Sequence, residues 1–76
     1  MHYPRIKDLR EDCGKRQDEI AQYLHIDRTV YGRYERGIRE APSWMIYRLA
    51  LYYNISADYI LGLKTHPEDA FPPKSK

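Results

Sequence analysis

The sequence predicts an all-α chain of five short helices, and three observations predict it. Apolar residues recur three and four positions apart in several short runs. Most of these runs close on a glycine or an asparagine, the residues that tolerate the left-handed turn ending a helix. No segment alternates apolar and polar residues with β-branched enrichment, so nothing reads as a sheet.

The first helix is expected from Arg5 to Cys13. Ile6, Leu9 and Cys13 keep its spacing, and Gly14 stops it. Gln17, Ile20, Ala21 and Leu24 form the stripe of the second. Asp18 and Glu19 in its first turn suit the positive end of the helix dipole. His25-Ile26 is then a very short connection. Asp27 is a good N-cap for a third helix over 28–36, which Gly37 ends. Residues 38–41 are a loop. Pro42 opens the fourth helix, where its missing N–H is no loss. Ile46, Leu49, Ala50 and Tyr53 are its apolar stripe, and Asn54 closes it. Ser56 caps a short fifth helix that Gly62 ends. The composition then turns polar and proline-rich, so residues 64–76 are expected to be a loosely ordered tail, in which Phe71 is the sole large apolar residue.

The stripes together give the expected core: Ile6, Leu9, Ile20, Ala21, Leu24, Ile26, Tyr31, Tyr34, Ile46, Leu49, Ala50, Tyr53, Ile55, Ile60 and Leu61. Eight tyrosines supply large apolar area with hydroxyls left near water. Trp44 is expected half exposed, and Trp44, Met45, Tyr47, Tyr52 and Tyr59 are candidates for an apolar outer patch.

Seventy-six residues make one small domain, marginal in stability because a chain of this size buries only roughly 60% of its unfolded surface. The single cysteine cannot form an internal disulfide and fits a reducing cytoplasm. Cys13 is expected to act as a small apolar residue at its helix end. No run of about 18 apolar residues suggests a membrane span. His2, His25 and His66 lack metal-ligand spacing, and no nucleophile–base pair or phosphate-cradling glycine loop is legible. An enzyme, a metal, a cofactor, a membrane and a small-molecule ligand are therefore not expected.

The net charge of +2 excludes little. Its distribution says more, because Arg28, Arg33, Arg36 and Arg39 fall within twelve residues. On a helix starting at Asp27, Arg28, Thr29, Gly32 and Arg33 share one face, while Tyr31 and Tyr34 lie on another. Such a helix is held by aromatic packing on one side and offers cations on the other, and duplex DNA is the expected anion. The second and third helices, joined by a tight turn, form a helix-turn-helix pattern.

The run QDEIAQYLHIDRTVYGRYERG at 17–37 resembles the XRE family, the Cro and phage-repressor type of helix-turn-helix domain. The match continues through REAP at 39–42, LALYYNIS at 49–56 and DYILG at 58–62, covering about residues 5–63. The resemblance implies a compact, lambda-repressor-like domain over 1–63 with helices 2 and 3 as the helix-turn-helix. It implies that Gln17 bonds a DNA phosphate, as a helix N-terminus favours. It places Arg28, Thr29, Gly32 and Arg33 in the major groove, with Arg28 and Arg33 as base readers and Arg36 and Arg39 near the backbone. Arg10 and Glu35 match a structural ion pair locking the third helix to the first.

Two positions depart from the family pattern. Arg16 stands where a Ser or Thr cap is usual and cannot accept a hydrogen bond, so the second helix is open to fraying or Arg16 adds a phosphate contact. Gly32 stands where a polar residue is usual and cannot read a base by side chain. The expectation is a sequence-specific regulator of transcription, a repressor and a homodimer on a two-fold site. The competing expectation is a protein-binding module on the same fold, such as an antitoxin or anti-regulator.

Overall fold

The computed structural model describes residues 2–64. The expected tail, with His66 and Phe71, lies outside the described residues but for Lys64. Five helices follow in order: α1 Arg5–Asp12, α2 Gln17–Leu24, α3 Arg28–Glu35, α4 Ser43–Tyr53 and α5 Ala57–Leu61. There is no strand among the described residues. The chain groups into two compact units that divide after Ala41.

All five helices end by one device. In each, a residue with positive φ reverses the chain: Gly14, His25, Gly37, Asn54 and Gly62. The amide two positions past the last helical turn reaches back five residues, as in Lys15 N–H to Arg10 O, Ile26 to Ala21, Ile38 to Arg33, Ile55 to Ala50 and Leu63 to Asp58. This pairing satisfies carbonyls that the helix leaves open. The glycines and Asn54 stand where they were expected. His25 is the finding: the short connection between α2 and α3 is a left-handed histidine with φ 61°.

The helix starts divide by chemistry. Asp27 accepts from Thr29 N–H at 2.8 Å and Ser56 from Asp58 N–H at 3.0 Å, as side-chain caps should. Arg16 has no acceptor to offer. The start of α2 is instead held by Glu19, whose carboxylate accepts the Arg16 main-chain N–H at 2.8 Å. This is one half of a capping box, and the helix begins at Gln17.

In the first unit α2 packs on α3, and Ile6, Ile20, Ala21, Leu24, Tyr31 and Ala41 are buried. Leu9, Ile26 and Tyr34 are half-buried. Cys13 is exposed, contrary to expectation. The helix stops at Asp12, so Cys13 sits on the reversing turn and no longer follows the stripe of Ile6 and Leu9.

In the second unit α4 packs on α5, and Met45, Ile46, Leu49, Ala50, Ile55 and Ile60 are buried. Tyr53 and Leu61 are half-buried. Met45 was expected on the outer patch and is fully buried. It lies one turn before Leu49, which puts it on the inner stripe. Tyr52 and Tyr59 are half-buried, so the exposed apolar residues of α4 are Trp44 at 44%, Tyr47 at 58% and Leu51 at 38%.

Candidate nucleic-acid interface

The candidate site is built on Glu35, a carboxylate only 2% exposed at the end of α3. Its oxygens are fully used. Oε2 accepts from Arg10 Nε at 2.7 Å and from the Tyr31 hydroxyl at 2.8 Å. Oε1 accepts from Arg10 Nη2 at 3.1 Å and from Gln17 Nε2 at 2.9 Å. Burial by itself pushes the Glu35 carboxyl up, but the donors from Arg10, Gln17 and Tyr31 and the Arg10 charge outweigh it and hold it below its ordinary range. Arg10 Nη1 also donates to Lys15 O at 2.8 Å. One carboxylate thus ties α1, the start of α2 and the inner face of α3 together.

The outer face of α3 follows from that clamp. With Tyr31 and Glu35 turned inward, positions 28, 29 and 33 are exposed. Gln17, Arg28, Thr29, Gly32 and Arg36 line one open groove. A second hollow around the start of α2 is lined by Arg10, Lys15, Arg16, Gln17, Asp18 and Arg28. Gly32 is buried at the floor of the first groove. A Cβ added there would meet the Gln17 amide at 3.8 and 3.9 Å, ordinary contact distances.

The expected site residues are therefore partly gathered. Arg33 is exposed one turn after Thr29 but lines neither hollow, and Arg39 is exposed in the loop. Arg16 pairs with Asp18 through Nε at 3.1 Å. Both side chains are mostly exposed, so this pair is weak, although it lowers the Asp18 carboxyl. Gln17 does not stand free in solvent: its amide nitrogen is held by Glu35. The reading from sequence missed Lys15 in the second hollow, whose signal was its place beside Arg16. It also missed the N-terminal segment. His2 Nε2 lies 3.1 Å from Glu35 O, and its ring sits where a Cβ at Gly37 would go, at 2.8 Å. No sequence signal marks that contact.

Chemically, the arrangement offers guanidinium groups, a hydroxyl and a fixed amide on one side of a two-helix unit. These donors suit phosphate oxygens and the acceptor-rich edge of guanine. No group of acidic, histidine or cysteine residues among those described could hold a metal ion. No helix among the described residues is long and apolar enough to cross a membrane.

A two-helix unit clamped from behind, with its second helix basic outside, is a helix-turn-helix. The chain belongs to the helix-turn-helix family, whose model matches residues 6–60. It is 36% identical over 58 residues to the HTH-type transcriptional regulator ImmR of Bacillus subtilis (strain 168), an alignment covering 76% of this chain and 46% of that protein. It is 32% identical over 68 residues to the uncharacterized HTH-type transcriptional regulator YobD of the same organism, covering 90% of this chain and 61% of that one. The chain thus spans between about half and three-fifths of these relatives. No solved structure matches it significantly.

Proposed function

We propose that the chain binds duplex DNA in a sequence-specific manner and regulates transcription in the cytoplasm, with residues 1–63 as the binding domain. The observation that carries this reading is the groove of Gln17, Arg28, Thr29, Gly32 and Arg36 on the outer side of α3. Helix α3 lies in the major groove. Arg28 and Arg33 read guanine edges and Thr29 touches a thymine methyl or a polar edge. Gln17, whose second amide hydrogen is left over from the Glu35 bond, donates to a phosphate at the α2 N-terminus. Arg16, Lys15 and Arg39 add phosphate contacts. Repression is the simplest outcome, because occupying a site is enough to block a polymerase.

A two-helix reader covers few base pairs, so two copies on a two-fold site are expected, their α3 helices about 34 Å apart. The exposed row Trp44, Tyr47 and Leu51, spaced three and four apart on α4, is the proposed dimer face. The same row favours the second reading, a module that acts on another protein. Titration of mixed-sequence duplex DNA across a salt series separates the two. A DNA binder loses affinity linearly in log salt, with a slope of about −0.9 per phosphate contacted. No duplex binding at low salt contradicts the DNA reading and leaves the protein-binding one.

A further inference from the structure

Arg36 follows the last helical residue of α3, a place from which a side chain reaches the DNA backbone. The geometry points to a different part for it. Its main-chain N–H and its side-chain Nε–H both donate to one acceptor, Gly32 O, at 3.0 and 3.2 Å. The guanidinium is thereby folded back along the helix and lines the groove that holds Arg28 and Thr29. Residues 28, 32 and 36 lie four apart, in one row along the axis. The middle member of that row has no side chain.

We propose that Arg36 is a specificity-determining base reader, and that Gly32 keeps the groove floor clear for it. This rests on the DNA-binding reading above. Anchoring Nε on a carbonyl leaves Nη1 and Nη2 as a planar fork at the tip of the side chain. Guanine O6 and N7 accept such a fork in a bidentate way. A phosphate accepts the same fork but carries no sequence information, so loss of a base preference is what separates the two contacts. The anchor also orients the fork toward the groove, which lowers the side-chain freedom to be lost on binding. A Cβ at position 32 meets only Gln17, so alanine fits there. A longer side chain extends into the space that Arg36 lines. The specificity that the missing side chain at 32 cannot supply is thus moved one turn along the same row.

The test is selection from random duplex DNA by the intact chain and by Arg36→Ala, followed by binding of the selected site and of its single-base variants across a salt series. A base reader loses guanine preference at one position of the half-site. Affinity for the intact site falls about 5- to 150-fold, and far less for a site already changed at that position. A loss equal on all duplexes, with the salt slope reduced by about 0.9, makes Arg36 a phosphate contact and overturns the proposal. Unchanged binding to every duplex overturns it as well. In both of these the intact chain still selects a site, so the DNA-binding reading stands. If the intact chain selects nothing, that reading falls and this one with it.

Discussion

The unit before Pro42 and the unit after it are stabilised in different ways. The first is organised around a buried carboxylate with four donors on it; the second buries Met45, Ile46, Leu49 and Ile60. What each leaves outside differs in the same sense. The first exposes arginines along α3, and the second exposes Trp44, Tyr47 and Leu51 along α4. The difference teaches that α3 is held by directional bonds as well as by the apolar packing of Ile6, Ile20, Leu24 and Tyr31. Tyr31 is buried and Val30 and Tyr34 are half-buried, and the bonds to Glu35 add direction to that packing at the rotation where Arg28 and Thr29 face outward.

The sharpest way to break that comparison is to remove one partner of the clamp. Arg10→Ala leaves Glu35 buried without its charge partner and should cost about 3–5 kcal/mol by chemical denaturation, enough to unfold so small a chain. Replacing both, as Arg10→Met with Glu35→Leu, should cost much less. Equal losses in the two variants would mean that volume, not charge pairing, is what matters there. In the second unit Leu49→Ala should cost about 2–5 kcal/mol by leaving a cavity, with no dependence on pH.

Acid separates the units next. The folded-state Glu35 carboxyl lies below its ordinary value. Its stabilising contribution is therefore complete above the unfolded value of about 4.3 and is lost as pH falls through the lower folded value. Glu35→Gln should flatten this part of a stability-versus-pH curve below about pH 4.3, whatever it does to stability at neutral pH. A variant curve parallel to that of the parent chain would remove Glu35 from the account.

Loss of Arg28 should weaken specific DNA binding by about 1–3 kcal/mol and relax one base preference, while Trp44→Ala should leave the half-site preference alone and lower the dimer fraction seen by sedimentation. The smallest effects concern the turns. His25→Gly should raise stability by about 0.5–1 kcal/mol, because a left-handed residue without a Cβ carries no steric penalty. Gly32→Ala should do the same inside α3, where alanine is the better helix former and its methyl fits.

Much of the fold was legible in the sequence because its punctuation is local. Asp27, Ser56, Gly14, Gly37, Asn54 and Gly62 each act within a few residues of where they stand. His25 was placed in the connection after α2, but its left-handed turn was not legible, since histidine, unlike glycine or asparagine, does not mark that conformation. Met45 was misplaced because α4 is apolar around much of its circumference, and only its step to Leu49 marks the buried side. The pairing of Arg10 with Glu35 came through the family resemblance. The bond from Gln17 to that same carboxylate did not, because it joins positions eighteen residues apart with no pattern between them. Arg36 was assigned by its place in the chain, whereas its Nε bond to Gly32 O depends on a side-chain rotamer that no spacing encodes.

The central claim, that the outer face of α3 enters the major groove, is most directly tested by methylation of guanine N7 on a selected duplex with and without the protein. N7 opens onto the major groove, so protected guanines are expected in each half-site, with Arg28→Ala plus Arg33→Ala removing the protection at the guanines those two residues read. Unaltered N7 reactivity on a duplex that the protein demonstrably occupies would contradict it.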